Sequence, residues 1–133
     1  MTPVFLDTVG LLAVWDRDDQ WHAAAERVFT DLLRSDAVLV TTPFVFIECG
    51  NADARTAFRP RVNALRRTFF DEGRLIEPTG GELDEAWSAY GRGLSGQAGI
   101  VDHVSFVVMR RLGLTRAFTH DAHFRAAGFE TLF

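Results

Sequence analysis

The chain has 133 residues, 47% of them hydrophobic, and a formal net charge of -4 at pH 7. That size and apolar content suit one compact domain spanning residues 1–133 with a real core, and the acidic balance argues against coating duplex DNA by bulk charge, though not against holding nucleic acid locally around cations. All 14 basic residues are Arg, which excludes a phosphate loop that needs Lys and any Schiff-base chemistry.

Pro3-Val4-Phe5-Leu6 reads as a short buried strand that delivers Asp7 to its carboxyl end, where ligands collect in open α/β sheets. Thr8 is a plausible cap for a short apolar helix through Leu11, Leu12, Val14 and Trp15, broken by the acidic turn Asp16-Arg17-Asp18-Asp19. From Trp21, the positions Ala24, Ala25, Val28, Phe29, Leu32 and Leu33 recur at helical spacing, with Arg27 and Arg34 on the wet side. Ala37 to Thr41 reads as a second buried strand, and Pro43 suits the first turn of a helix that carries Glu48.

Arg55 to Phe70 is rich in arginine and is interrupted by Pro60, which is expected to kink or divide it into two helical pieces. Arg74 to Pro78 reads as a third strand, followed by a helix over Leu83 to Tyr90 and a glycine-bearing loop, expected to be mobile, from Gly91 to Gly99. A helix from about Val101 is expected to turn Val104, Val108 and Leu112 inward, with Asp102 in its first turn and Gly113 as its stop. A fourth strand ends at Thr119, Asp121 opens a short last helix, and Phe129 to Phe133 is read as an edge strand.

Strands that alternate with helices imply parallel pairing, hence an α/β fold: a three-layer α/β/α sandwich with a central parallel sheet. Asp7, Glu48, Asp102 and Asp121 each lie just past a strand or in the first turns of a helix, positions that face one rim of such a sheet. Four carboxylates gathered there repel one another and raise one another's pKa unless a cation neutralises them. Oxygen ligands of this hardness suit Mg²⁺ or Mn²⁺. Each acid also has a structural competitor, since Asp before a helix is a common N-cap, and Asp121 is the residue most open to that reading. Histidines do not form a zinc pattern: His120 and His123 flank Asp121 without a second His or Cys pair, and Cys49 is the single cysteine. That lone cysteine, together with the lack of a signal-like or membrane-spanning stretch, leads us to expect a soluble cytoplasmic protein without an internal disulfide.

Phe5-Leu6-Asp7-Thr8, Thr42-Pro43 to Glu48, Ile100-Val101-Asp102-His103-Val104-Ser105-Phe106, and Leu114 through Thr119-His120-Asp121-Ala122-His123-Phe124 occur in that order along the chain. In this the whole chain resembles PIN-domain ribonucleases, the group that includes the VapC-type toxins of toxin–antitoxin pairs. The resemblance implies a PIN-like fold and a metal site at Asp7, Glu48, Asp102 and Asp121. It also implies a metal-dependent endoribonuclease that leaves a 5′-phosphate and a 3′-hydroxyl, an RNA substrate and a cognate antitoxin protein. Twelve Phe and three Trp exceed what one small core needs, so part of that aromatic surface is expected to serve a homodimer or partner binding. Thr8 and Thr119 are candidates to hydrogen-bond the coordinating carboxylates. His22, in a Trp-His pair found in some members, and Arg55 and Arg59 are candidate substrate contacts, with a surface histidine and a solvated or partner-facing helix face as the competing readings. Two other functions stay open at this point: a catalytically silent RNA- or partner-binding module of the same fold, and a metal-dependent phosphatase or 5′ nuclease.

Overall fold

The computed structural model of the chain describes residues 3–133. At its centre lies β1 (Pro3–Leu6), whose Val4, Phe5 and Leu6 are each 0% exposed. Successive strand side chains point to opposite faces, so burial of all three requires cover on both sides of the sheet. The described residues form an all-parallel sheet in the order β2 (Val38–Val40), β1, β3 (Arg116–Phe118), β4 (Glu130–Thr131). Phe5 stands opposite Val40 on one side and Ala117 on the other, and Ala117 in turn stands opposite Thr131.

This order positions the functional site. From β1 the chain runs through α1 (Thr8–Trp15) and α2 (His22–Arg34) to β2. It then passes through α3 (Pro43–Ala52), α4 (Arg59–Asp71), α5 (Gly80–Gly91) and α6 (Ile100–Leu112) before entering the sheet on the opposite side of β1 as β3. The short α7 (Ala122–Ala126) leads on to β4. Connections that leave β1 in one direction and return on its other side open a crevice between the carboxyl ends of β1 and β3, the switch point at which open parallel sheets bind ligands.

The packing draws those two strand ends together. A Cβ on Gly10 would lie 2.2 Å from the Phe118 carbonyl oxygen, so α1 crosses the end of β3 at a distance that only glycine permits. The Asp7 amide donates to that same carbonyl at 3.3 Å. Below the crossing, Phe5, Phe106, Phe118 and Phe124 are among the largest fully buried side chains, each contributing about 1.5–3 kcal/mol of transfer free energy. Phe106 meets Phe124 edge-on, with centroids 4.9 Å apart at 82°. Helix α6 is buried continuously from His103 to Met109 and ends at Gly113, whose φ of 68° is left-handed.

Several local expectations are corrected. Arg74 to Pro78 forms no strand; Leu75 makes only an isolated parallel bridge with Thr41, because Gly73 turns the chain just before it and Pro78, which lacks an N–H, ends the pairing just after. Pro60 does not divide a helix: it lies in the first turn of α4, where a missing N–H costs no hydrogen bond, and Arg55 to Phe58 are left in turns. Leu112 is 40% exposed and Leu33 63% exposed. Leu112 sits in the last turn of α6, where the helix has run past its neighbours, and Leu33 lies on the open side of α2 beside the buried Leu32. Thr8 is not the cap of α1, since Asp7 takes the N-cap position and Thr8 is the first helical residue.

Candidate active site

Asp7 is 1% exposed and occupies the N-cap position of α1 without a side-chain capping bond. Its carboxylate is therefore free of the usual local role and turns into the crevice, where Oδ2 accepts a 2.8 Å hydrogen bond from Thr119 Oγ1 at the end of β3. Thr119 is itself fully buried, and its hydroxyl oxygen accepts the Asp121 amide at 3.1 Å. One hydroxyl thus ties the first acid to the backbone of the last.

The other acids converge from three helices. Pro43 starts α3 early enough to set Glu48 in its second turn, where Glu48 Oε1 accepts a 2.5 Å bond from Thr8 Oγ1. Asp102 lies in the first turn of α6, and its Oδ2 accepts the Gly99 amide at 3.2 Å. Asp121 is the N-cap of α7 and accepts the His123 amide at 2.9 Å. Asp121 therefore is the cap that its position suggests, and it also faces the cleft. Asp7, Thr8, Glu48, Asp102 and Asp121 line a common cleft of about 260 Å³ with Val9 and Ala52.

The electrostatics are those of crowded anions. The Asp7 carboxyl is pushed up to about 8, first by burial and then by the charge of Asp102, with smaller contributions from Asp121 and Glu48 and partial relief from the Thr119 hydroxyl. Asp102 is raised to about 6 by burial first and by Asp121 next, while the Gly99 amide and His123 pull it back. Such a donor set fits a hard divalent cation: all-oxygen carboxylate ligands with too few protein cations to balance them. Among the described residues, the group whose ligand atoms all lie within 4.8 Å of one another is Asp102, Asp121 and His123, so an imidazole nitrogen joins two of the carboxylates there, and Asp7 and Glu48 are not part of that group.

No family model matches the chain. Among curated proteins it is 30% identical over 132 residues to the 23S rRNA-specific endonuclease VapC20 of Mycobacterium tuberculosis, in both the CDC 1551 / Oshkosh and the ATCC 25618 / H37Rv strains, with 95% of each chain covered. The chain belongs to the VapC-type PIN-domain ribonucleases. The crystal structure of Mycobacterium tuberculosis VapC20, described as a sarcin–ricin loop cleaving toxin, matches with a TM-score of 0.82 at 26% identity over 95% of each chain. The expected three-layer α/β/α sandwich around a parallel sheet is thus the PIN fold. PAE2754 from Pyrobaculum aerophilum shares the fold at a TM-score of 0.53 and 22% identity, covering 98% of this chain and 91% of that one. As a VapC-type ribonuclease the chain is a toxin that cleaves RNA.

Not every residue singled out in the sequence lies in the acidic cleft of this VapC-type chain. His22 Nδ1 donates to the Ala13 carbonyl at 2.8 Å, and Nε2 faces Glu26 at 3.2 Å, so the ring pins α2 to α1. Arg55 is exposed in the turns before α4. Arg59 lines a separate groove of about 750 Å³ between α3 and α4, floored by Phe46, Val62 and Leu75. Thr8 bonds Glu48 rather than Asp7, its neighbour in sequence. His123, which the sequence reading weighed only against a zinc pattern, is the further residue the structure brings to the acids: its Nδ1 stands 3.0 Å from Asp121 Oδ1. Its place two residues past an N-cap Asp, whose side chain turns back over the first helical turn, was the available signal.

Proposed function

We propose that the chain is a Mg²⁺- or Mn²⁺-dependent endoribonuclease that cuts an exposed loop of 23S ribosomal RNA of the sarcin–ricin type and acts as the toxin beside a cognate antitoxin protein. The observation that carries the metal reading is Asp7: a carboxylate sealed from solvent, released from capping duty, and set among three further acids at the sheet's switch point. The likeness to VapC20 over 95% of both chains supports the substrate class.

Asp7, Glu48, Asp102 and Asp121 would hold the cation, with His123 at its edge. When bound, a divalent ion supplies Lewis acidity, lowering the pKa of water and neutralising charge on phosphodiester oxygens. The chain's own residues prepare that site. Thr119 fixes the rotamer of Asp7, Thr8 fixes Glu48, and the Gly99 amide holds Asp102, so three of the acids are oriented by separate donors before any ligand arrives. Without a cation, the raised pKa of Asp7 leaves a proton on its carboxyl at neutral pH. Cation binding must release that proton, which couples affinity to pH. No side-chain nucleophile is required, and the cleaved strand keeps a 5′-phosphate and a 3′-hydroxyl.

The groove between α3 and α4 fits an apolar segment of the antitoxin. Ile47 and Phe70 on its walls are 58% and 60% exposed, and Arg59 and Arg66 at its rim suit acidic residues on the incoming chain. A homodimer would cover further exposed apolar side chains such as Leu33 and Leu112.

Purified protein incubated with 23S rRNA, single-stranded DNA and a phosphomonoester, with Mg²⁺ and with EDTA, tests this reading. Cleavage confined to the RNA and abolished by EDTA is the expected result. RNA cleavage that survives EDTA removes the metal from the mechanism, and hydrolysis of the phosphomonoester instead replaces the substrate class.

A further inference from the structure

At His120, the residue before Asp121, the chain joins an aromatic stack that does not line the acidic cleft. Trp21, at the N-cap of α2, and His120 have ring centroids 4.5 Å apart and planes within 15°. Phe133 packs obliquely against both, at 6.4 Å from Trp21 and 5.6 Å from His120. The indole of Trp21 is nevertheless 38% exposed. A large flat side chain stacked on a second ring, backed by a third and left partly open to solvent, leaves aromatic surface that a further ring could cover.

Its position is what gives it meaning. His120 immediately precedes Asp121, so the backbones of the platform and of a cleft carboxylate are about 3.8 Å apart. Thr119, on the other side of His120, holds Asp7. Arg125 closes the same corner: its Nη1 donates to the His120 carbonyl at 3.5 Å and to Thr131 Oγ1 at 3.0 Å, and the residue is exposed. A flat aromatic surface and a guanidinium are thus both tied, through His120, to the chain segment that carries the cleft carboxylate Asp121. Single-stranded RNA is recognised by bases splayed out onto aromatic side chains, His included, with Arg on the adjoining phosphates. In a chain of net charge -4, long-range attraction to phosphate is weak, and stacking has to supply more of the affinity.

We propose that Trp21, backed by His120, is a stacking platform for an unpaired base next to the scissile phosphodiester, with Arg125 beside it for the strand's backbone. This rests on the RNA-cleaving reading above and adds where the strand lies and what grips it. The platform admits any base in an exposed loop and excludes a paired one, whose faces are already covered. It therefore selects looped over helical RNA at the site itself.

Binding and cleavage are tested separately. An RNA hairpin bearing the sarcin–ricin loop is titrated by fluorescence anisotropy, in EDTA, against the Asp102→Asn protein and against the same protein carrying Trp21→Ala, Trp21→Leu, Trp21→Phe or Trp87→Ala. Trp21→Leu keeps apolar bulk without a flat face, and Trp21→Phe restores the face. We expect roughly 5- to 100-fold weaker binding for Ala and Leu, recovery to within a few fold for Phe, and no change for Trp87→Ala, whose exposed indole lies on α5. In the otherwise native protein, Trp21→Leu should raise KM more than it lowers kcat. Equal binding by the Leu and Phe variants, or an equal loss with Trp87→Ala, overturns the platform. Failure of the native protein to cleave the hairpin in Mg²⁺ counts instead against the nuclease reading, and the anisotropy series still decides the platform.

Discussion

Asp7→Asn is expected to destroy cleavage and yet make the metal-free protein more stable, and the size of that gain depends on pH. In the fold, the Asp7 carboxyl has its pKa lifted from 3.8 to about 8, chiefly by burial and next by Asp102. A carboxyl that holds its proton more tightly when folded favours the native state at low pH. That stability is complete below about pH 4 and is lost as the pH rises toward 8, where the group must ionise inside the pocket. The interval corresponds to a ceiling of roughly 6 kcal/mol. Water and counterions entering the cleft lower the realised cost, so we expect the Asn protein to exceed the parent by roughly 2–4 kcal/mol at pH 8. For a chain of this length that is roughly 6–16 °C in Tm. At pH 5 the parent keeps its proton in the fold, and the difference should shrink to about 1 kcal/mol. Thermal melts followed by circular dichroism in EDTA at the two pH values measure this. Added Mg²⁺ should raise the parent's Tm at pH 8 and leave the variant nearly unmoved. An Asn protein less stable than the parent at pH 8, or a difference that is the same at pH 5 and pH 8, would show that Asp7 is a structural residue and that the crowding argument is wrong.

Asp121→Asn separates the two roles of that side chain: Asn caps as well as Asp, so the fold should keep its stability within about 0.5 kcal/mol while RNA cleavage falls at least about 100-fold. A variant that keeps its activity would leave Asp121 as a cap alone. Thr119→Val removes the donor to Asp7 and the acceptor of the Asp121 amide; isothermal titration should find roughly 10- to 100-fold weaker Mg²⁺ affinity, restored by Thr119→Ser. Unchanged affinity would mean that Asp7 needs no such support. Gly10→Ala places a methyl 2.2 Å from the Phe118 carbonyl; urea unfolding should show a loss of about 3 kcal/mol or more, since backbone must shift to admit it. A loss under about 1 kcal/mol would mean that α1 can slide over β3 at little cost.

The sequence carried the frame of this molecule because its strands are unambiguous. Val4-Phe5-Leu6 and Ala117-Phe118 are apolar runs without helical period, and each leads directly to a polar residue at the switch point. The four acids were legible as a set because each follows a boundary that local chemistry announces: the ends of β1 and β3, Pro43 before α3, and Gly99 before α6. What was not legible depended on three-dimensional company. Nothing near Thr8 in the sequence shows that its hydroxyl reaches Glu48, 40 residues away, instead of Asp7 beside it. Arg74 to Pro78 has the composition of a strand, but Gly73 before it and Pro78 at its end confine its pairing to a single bridge. Leu33 and Leu112 follow helical spacing correctly, but periodicity gives the direction of a side chain and not whether another element lies there to cover it. His22 looked functional through its pairing with Trp21, and its neighbour turned out to hold the more exposed, more suggestive position.

The bond from Thr119 to Asp7 spans 112 positions of sequence, and β3 slots in beside β1, although six helices and β2 lie between them along the chain. Contacts of such separation form late in folding. If the four acids act together as proposed, a growing chain lacks its full set until residue 121 has emerged and docked. Premature termination or early proteolysis yields fragments with at most three of the acids. For an RNA-cleaving toxin, that arrangement puts off the complete acidic cleft until the last of its four acids has joined the first.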